Sequence, residues 1–155
     1  MDFLYALVRL TKPERALETG TWLGRSAIAI ASALRDNGIG HLVTIELDGQ
    51  TAETASRNID DRGLMSFVTL HVVNSLVIDL SGIYEFALFD SDLPIRREEF
   101  IRFYDRLEPG AIAVFHETAD HHAGSADAVS DLMNMGMLEG IFLPTPRGLS
   151  VGRVG

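Results

Sequence analysis

The sequence predicts a doubly wound α/β domain, in which helices cover both faces of a mostly parallel sheet. Three features carry that prediction. Short apolar runs alternate with helix-like segments from Arg15 to Phe115, and strands joined through helices run parallel because each crossover returns the chain to the same end of the sheet. Five successive runs close on polar residues: Glu18 and Gly20, Glu46, Asn74 and Ser75, Asp90 and Asp92, His116 and Glu117. Ligands of open α/β sheets lie at the carboxyl ends of the strands, so residues that do chemistry belong there. The third feature is local. The first run passes into a helix-prone stretch through Glu18, Gly20 and Gly24, where glycines permit a sharp turn and the first helical amides lack intrahelical partners.

In chain order, Phe3, Leu4, Leu7 and Val8 recur at helical spacing and predict a short amphipathic helix within residues 1–12, ended before Pro13. A strand follows at Arg15–Thr19, then a helix at Arg25–Asp36 with Ile28, Ala29, Ala31, Ser32 and Leu34 as its packed positions. Next come a strand at His41–Glu46, a helix at Gly49–Arg62, a strand at Phe67–Val73 and a turn near Leu76. A strand at Glu85–Phe89, a helix at Arg96–Leu107 and a strand at Ala111–Phe115 complete the alternation, with Pro109-Gly110 punctuating the last junction. Ala126–Met135 reads as a helix, and Met137–Leu143 and Leu149–Val154 as strands whose short connection permits only an antiparallel pair. No repeat, low-complexity tract or linker interrupts the chain, so residues 1–155 read as one domain.

Composition narrows the function. The chain has 155 residues, 46% of them hydrophobic, enough for one substantial core. A net charge of -9 argues against nucleic acid or an anionic membrane as partner, since neither surface attracts an acidic protein. Cysteine is absent, which excludes thiolate metal sites and cysteine nucleophiles and fits a reducing compartment. Asp2 stands where a signal peptide carries basic residues, so the chain reads as unprocessed and cytoplasmic.

Glu46 closes an apolar strand 22 residues after Gly24, where a carboxylate accepts bonds from both ribose hydroxyls of a bound nucleoside. The plainer alternative is an acid favoured by the dipole of the next helix, a role that Asp48 fills as well. A dinucleotide fingerprint would place a glycine at Trp22, two residues after Gly20, so that a diphosphate could approach the backbone. The Gly-x-x-x-Gly spacing therefore suits a ligand carrying a nucleoside but no diphosphate.

These residues sit in a series of motifs: Leu17-Glu-Thr-Gly-Thr-Trp-Leu-Gly-Arg-Ser26, Val43-Thr-Ile-Glu-Leu-Asp48, Phe86-Ala-Leu-Phe-Asp-Ser-Asp92 and Leu107-Glu-Pro-Gly-Ala-Ile-Ala-Val-Phe-His-Glu-Thr118. In order and spacing the series resembles class I S-adenosylmethionine-dependent methyltransferases, and within them the small-molecule O-methyltransferase branch. The resemblance spans residues 15–154 and implies a seven-stranded, Rossmann-like sheet with one antiparallel strand. It implies that Glu18, Gly20, Thr21, Gly24 and Ser26 hold the methionine part of the cofactor, and Glu46 and Leu47 its ribose. Asn74 and Ser75 fall where the family holds adenine, with Asn74 in place of the usual acid. Asp90 falls beneath the transferring methyl group. In metal-dependent members a carboxylate at Asp90 joins two residues after the fifth strand, here His116 and Glu117, as magnesium ligands.

Three readings of Asp90, His116 and Glu117 stand side by side: a divalent metal site, a catalytic centre with His116 as base, or a histidine capping the strand. His121 and His122 read as exposed loop residues, with metal binding the less common role of such a pair. Arg96-Arg97-Glu98-Glu99 reads as a solvated helix face, with Arg96 near enough to a strand end to meet an anionic acceptor. Trp22 reads as a cover for the helix start, His41 and His71 as strand-edge residues, and the methionines as core. The expected activity is methylation of a small hydroxylated acceptor. The alternatives are a nucleoside-binding protein of the same fold without catalysis and, on weaker grounds, an NAD(P)-linked oxidoreductase. About a dozen residues precede the first strand, which leaves the acceptor side under-built. A homodimer using the stripe of Phe3, Leu4, Leu7 and Val8 would supply the missing wall.

Overall fold

The computed structural model describes residues 2–119 and 124–155. The described residues form helices α1 (Asp2–Thr11), α2 (Arg25–Asn37), α3 (Gly49–Asp60), α4 (Arg96–Phe103) and α5 (Ser125–Asn134). The strands are β1 (Arg15–Thr19), β2 (His41–Glu46), β3 (Val68–Val72), β4 (Tyr84–Phe89), β5 (Leu107–His116), β6 (Leu138–Leu143) and β7 (Leu149–Val154). They make a seven-stranded mixed sheet in the order β3-β2-β1-β4-β5-β7-β6, so the doubly wound architecture read from the alternation is present. Contacts divide the chain into two compact units, one ending at Asp79 and one beginning at Leu80.

In the first unit β1, β2 and β3 are parallel, with Glu18 opposite Thr44 and Glu46 opposite Val72. Helix α2 packs through small residues: Ala27, Ala29, Ala31 and Ala33 are buried together with Ile30 and Leu34. The expected packing positions Ile28 and Ser32 are only half-buried, their neighbours Ala27, Ile30 and Ala33 taking the inner face. Helix α1 lies on α2, held by the Tyr5 hydroxyl donating to Asp36 at 2.8 Å and by Asn37 donating to the Val8 carbonyl at 3.0 Å. Leu4 and Val8 are buried by this packing. The apolar stripe expected to pair protomers is therefore half used within the chain, and Phe3 and Leu10 are what α1 still exposes.

In the second unit β4 and β5 are parallel, while β7 runs antiparallel to both β5 and β6. Strand β5 begins at Leu107, earlier than expected, and Pro109-Gly110 lies inside it. Pairing jumps from Tyr84–Leu107 to Phe86–Ile112, so the extra residues bulge where proline has no amide to give the ladder. Helix α4 ends at Phe103 and tightens into a 3-10 turn over Tyr104–Arg106. The core of this unit is aromatic. Phe89 stacks on Phe115 at 5.1 Å and meets Phe100 edge-on at 5.6 Å, while Phe100 also lies 5.7 Å from Phe115. Methionines contribute less than expected: Met65 and Met135 are exposed. Among the described residues no helix is long and apolar enough to cross a membrane.

Candidate functional site

The strand ends of the first unit gather acids and backbone amides. Glu18 is fully buried, and its Oε2 accepts a 2.5 Å bond from the Thr44 hydroxyl. Thr44 spends its single proton there, so the Thr21 hydroxyl, 2.6 Å away, donates to Thr44. Register makes this possible, because Glu18 and Thr44 are direct neighbours on β1 and β2. The amides of Gly20 and Thr21 both donate to the Ile45 carbonyl, which ties the loop to β2. Gly20 and Gly24 have φ of 83° and 80°, a left-handed backbone that side chains rarely adopt. A β-carbon on Gly24 would also lie 3.3 Å from the Ala55 carbonyl oxygen. Gly24→Ala is expected to cost about 1–2 kcal/mol, read as a lowered denaturation midpoint.

Helix α2 starts at Gly24 with no side-chain cap and no acid in its first turn, leaving its first amides for a ligand carboxylate. Ser26, in that first turn, is buried. Glu46 receives two backbone amides, Trp22 N–H on Oε2 at 2.8 Å and Asp48 N–H on Oε1 at 3.0 Å. Asp48 itself caps α3, accepting from the Thr51 amide at 2.7 Å, and the Thr51 hydroxyl and amide hold its carboxyl below the usual aspartate range. The capping role that competed for Glu46 thus belongs to Asp48. Asn74 Oδ1 accepts from Leu76 N–H at 2.8 Å and shapes the turn after β3, and Ser75 beside it is buried. Trp22 and Leu47 are exposed, at 62% and 67%. The indole does not cover the helix start, contrary to expectation: with φ of 46° at Trp22, the turn carries the side chain outward.

The second unit gathers a different set. Phe89 pairs with Phe115 in the β4–β5 register, so Asp90 and His116, one step further on each strand, fall side by side. His116 Nδ1 lies 3.0 Å from Asp90 Oδ1. Against a carboxylate Nδ1 is the donor, so in the neutral ring the lone pair is on Nε2. Glu117 has a left-handed φ of 57°, a strain of the kind that collects at functional turns. Arg96 is 3% exposed and stands between the two carboxylates: Nη2 is 3.2 Å from Asp90 Oδ1 and 3.4 Å from Glu117 Oε2. It also donates to the Ser91 carbonyl at 2.8 Å and to the His116 carbonyl. Burial pulls its pKa below the usual arginine value, opposed by Asp90, Glu99 and Asp92. Arg147, from the β6–β7 turn, pairs with the other oxygen of Glu117. Beside this cluster a cleft of about 510 Å³ is lined by Ser91, Asp92, Leu93, Pro94, Ile95 and Glu117.

The expected metal set of Asp90, His116 and Glu117 is not assembled: among the described residues no three histidine or acid groups converge on a point that would hold an ion. The reason is Arg96, whose guanidinium already bridges Asp90 and Glu117. A divalent cation does not fit there without displacing it.

A family model for a methyltransferase domain matches residues 17–118, from the Glu18 loop to the end of β5 and just beyond. This chain is a class I S-adenosylmethionine-dependent methyltransferase family member. The methyltransferase sequence is 34% identical over 118 residues to a catechol O-methyltransferase of Niastella koreensis, covering 72% of this chain and 52% of that relative. With a Mus musculus catechol O-methyltransferase domain-containing protein it shares 30% identity over 72% of this chain and 44% of the relative. It thus spans about half the length of these curated relatives. Among solved structures, the O-methyltransferase TomG of Streptomyces achromogenes, in complex with SAM, superposes with a TM-score of 0.82 at 26% identity, covering 98% of this chain and 78% of that one.

Three residues of the cluster around Asp90 were missed or misplaced by the sequence reading. Arg96 and Glu99 belong to no solvated helix face: Arg96 is 3% exposed and Glu99 fully buried, with Ser91 Oγ donating to Glu99 at 2.5 Å. They share one side of α4 with Phe100 and Phe103, the i, i+3, i+4, i+7 pattern that marks a buried face. That spacing was the available signal. Arg147 carried none, because a loop arginine acquires its partner only through tertiary structure. His121 and His122 lie outside the described residues.

Proposed function

We propose that this chain transfers a methyl group from S-adenosylmethionine to a hydroxyl oxygen of a small acceptor. The observation that carries the reading is Glu46, whose two oxygens are fixed by the Trp22 and Asp48 amides while Asp48 does the helix capping. A carboxylate has about four lone-pair sites, so each oxygen keeps one for a ribose hydroxyl. Glu18, Gly20, Thr21, Gly24 and Ser26 would hold the methionine end, Leu47 would flank the ribose, and Asn74 with Ser75 would bound the adenine. The bound cofactor supplies an electrophilic methyl on a sulfonium, whose sulfur keeps the electron pair of the breaking C–S bond. The protein's own part is alignment and removal of one proton. Asp90 orients His116 through Nδ1, and Nε2 takes the acceptor proton.

The cleft beside Glu117 suggests the acceptor's character. Leu93, Pro94 and Ile95 offer an apolar wall with Ser91 and Asp92 as polar edges, which suits a hydroxylated, apolar body. Arg96, spent on carboxylates, is not offered to an anionic acceptor. Calorimetry with S-adenosylhomocysteine, joined to transfer of labelled methyl onto a panel of phenols, tests the reading. Absence of cofactor binding would remove it, and binding without turnover on any hydroxylated acceptor would favour a non-catalytic protein. His116→Ala is expected to lower kcat by about 10²–10⁴-fold while leaving S-adenosylhomocysteine affinity within about twofold, measured in the same assays.

A further inference from the structure

We propose that Arg96 is a resident cation occupying the position a divalent metal would take between Asp90 and Glu117, so that the centre works without a metal ion. The inference rests on the methyl-transfer reading only for the purpose of the centre, since the geometry stands by itself. Nη2 of Arg96 is the atom that bridges both carboxylates, at 3.2 and 3.4 Å. Magnesium would need oxygen ligands at about 2.0–2.1 Å in an octahedron, and so would have to stand where that nitrogen stands. Arginine remains charged under all working conditions, so the two cations exclude each other.

Nor does the guanidinium swing aside at low cost. It is 3% exposed, it donates to the Ser91 and His116 carbonyls, and leaving would strip these part-buried acceptors of a donor. The same bonds tie α4 to the ends of β4 and β5, so Arg96 acts as a positioning residue for Asp90 and His116. Glu117 is further engaged by Arg147 on its second oxygen, and the third expected ligand, His116, turns Nδ1 toward Asp90. Each residue of the expected metal set therefore already has a partner inside the protein. A consequence for the acceptor follows. A metal would favour two adjacent hydroxyls that chelate it, whereas a centre run by His116 and a fixed guanidinium asks for one.

The test is Mn²⁺ binding by chelator-treated protein, followed by water proton relaxation. Wild type is expected to show no saturable binding below about 1 mM, and its methyl-transfer rate to be unchanged by EDTA. Arg96→Ala frees Asp90 and Glu117 and is expected to gain Mn²⁺ affinity by at least about tenfold, a gain that a purely structural role would not produce. Stoichiometric Mn²⁺ binding by wild type that disappears in Glu117→Gln would overturn the proposal, whether or not Arg96→Ala folds. Calorimetry with S-adenosylhomocysteine separates the two ideas. Lost cofactor binding removes the methyl-transfer reading and leaves the Mn²⁺ result standing, whereas Mn²⁺ uptake by protein that still binds cofactor removes only this one.

Discussion

Glu46→Ala is expected to weaken S-adenosylhomocysteine binding by about 10²–10⁴-fold, because two hydrogen bonds to a charged group are worth roughly 1.5–3 kcal/mol each. The loss has a second source. With the carboxylate gone, the Trp22 and Asp48 amides that now point at its oxygens lose their acceptor, and the loop between Gly20 and Gly24 keeps only the Gly20 and Thr21 bonds to the Ile45 carbonyl as its ties to β2. Glu46→Gln is no mild substitute. One of its terminal atoms would be an NH₂ facing a backbone N–H, donor against donor, so the amide is expected to bind nearly as poorly as alanine. Calorimetry on the three proteins, with circular dichroism to show that each is folded, checks the prediction. Binding by Glu46→Ala within a few fold of wild type would remove the ribose role.

The largest expected effect on stability lies in the second unit. Phe100 is fully buried against Phe89, Phe115 and Tyr104, and Phe100→Ala is expected to cost about 3–5 kcal/mol in lost burial and cavity. For a chain of this length that corresponds to a drop of roughly 6–20 °C in Tm. Activity should fall with it in a particular way. Phe89 and Phe115 immediately precede Asp90 and His116, so a void beside them loosens the 3.0 Å contact between aspartate and imidazole. The expected pattern is a lower kcat at temperatures where the variant is still folded, with cofactor affinity retained.

The order of strands and helices was legible because short apolar runs, the mark of strands buried on both faces, alternate with helix-like segments from Arg15 to Phe115. Boundaries drifted where two signals competed. Pro109-Gly110 has the composition of a turn, yet the bulge between β4 and β5 absorbs both residues within the strand. The turn of the first unit's loop could be read because it depends on backbone: glycines at positive φ and a carboxylate at a strand end leave a mark in sequence. The cluster around Asp90 was legible only in part. Its acids and histidine stood out, but the arginine that organises them was disguised by Arg97 and Glu98 beside it, and only its spacing from Phe100 and Phe103 betrayed a buried face. Arg147 joins through a turn more than twenty residues along the chain from Glu117, a pairing that local pattern does not encode.

Trp22 is the single tryptophan of the chain, and it combines an indole that is 62% exposed with a backbone amide bonded to Glu46. Its emission therefore belongs to one place in the molecule. A ligand bound at the Glu46 carboxylate would alter the polarity and mobility around that ring, and is expected to shift the fluorescence spectrum without any label. The wild-type protein carries its own optical gauge for titration and stopped-flow work.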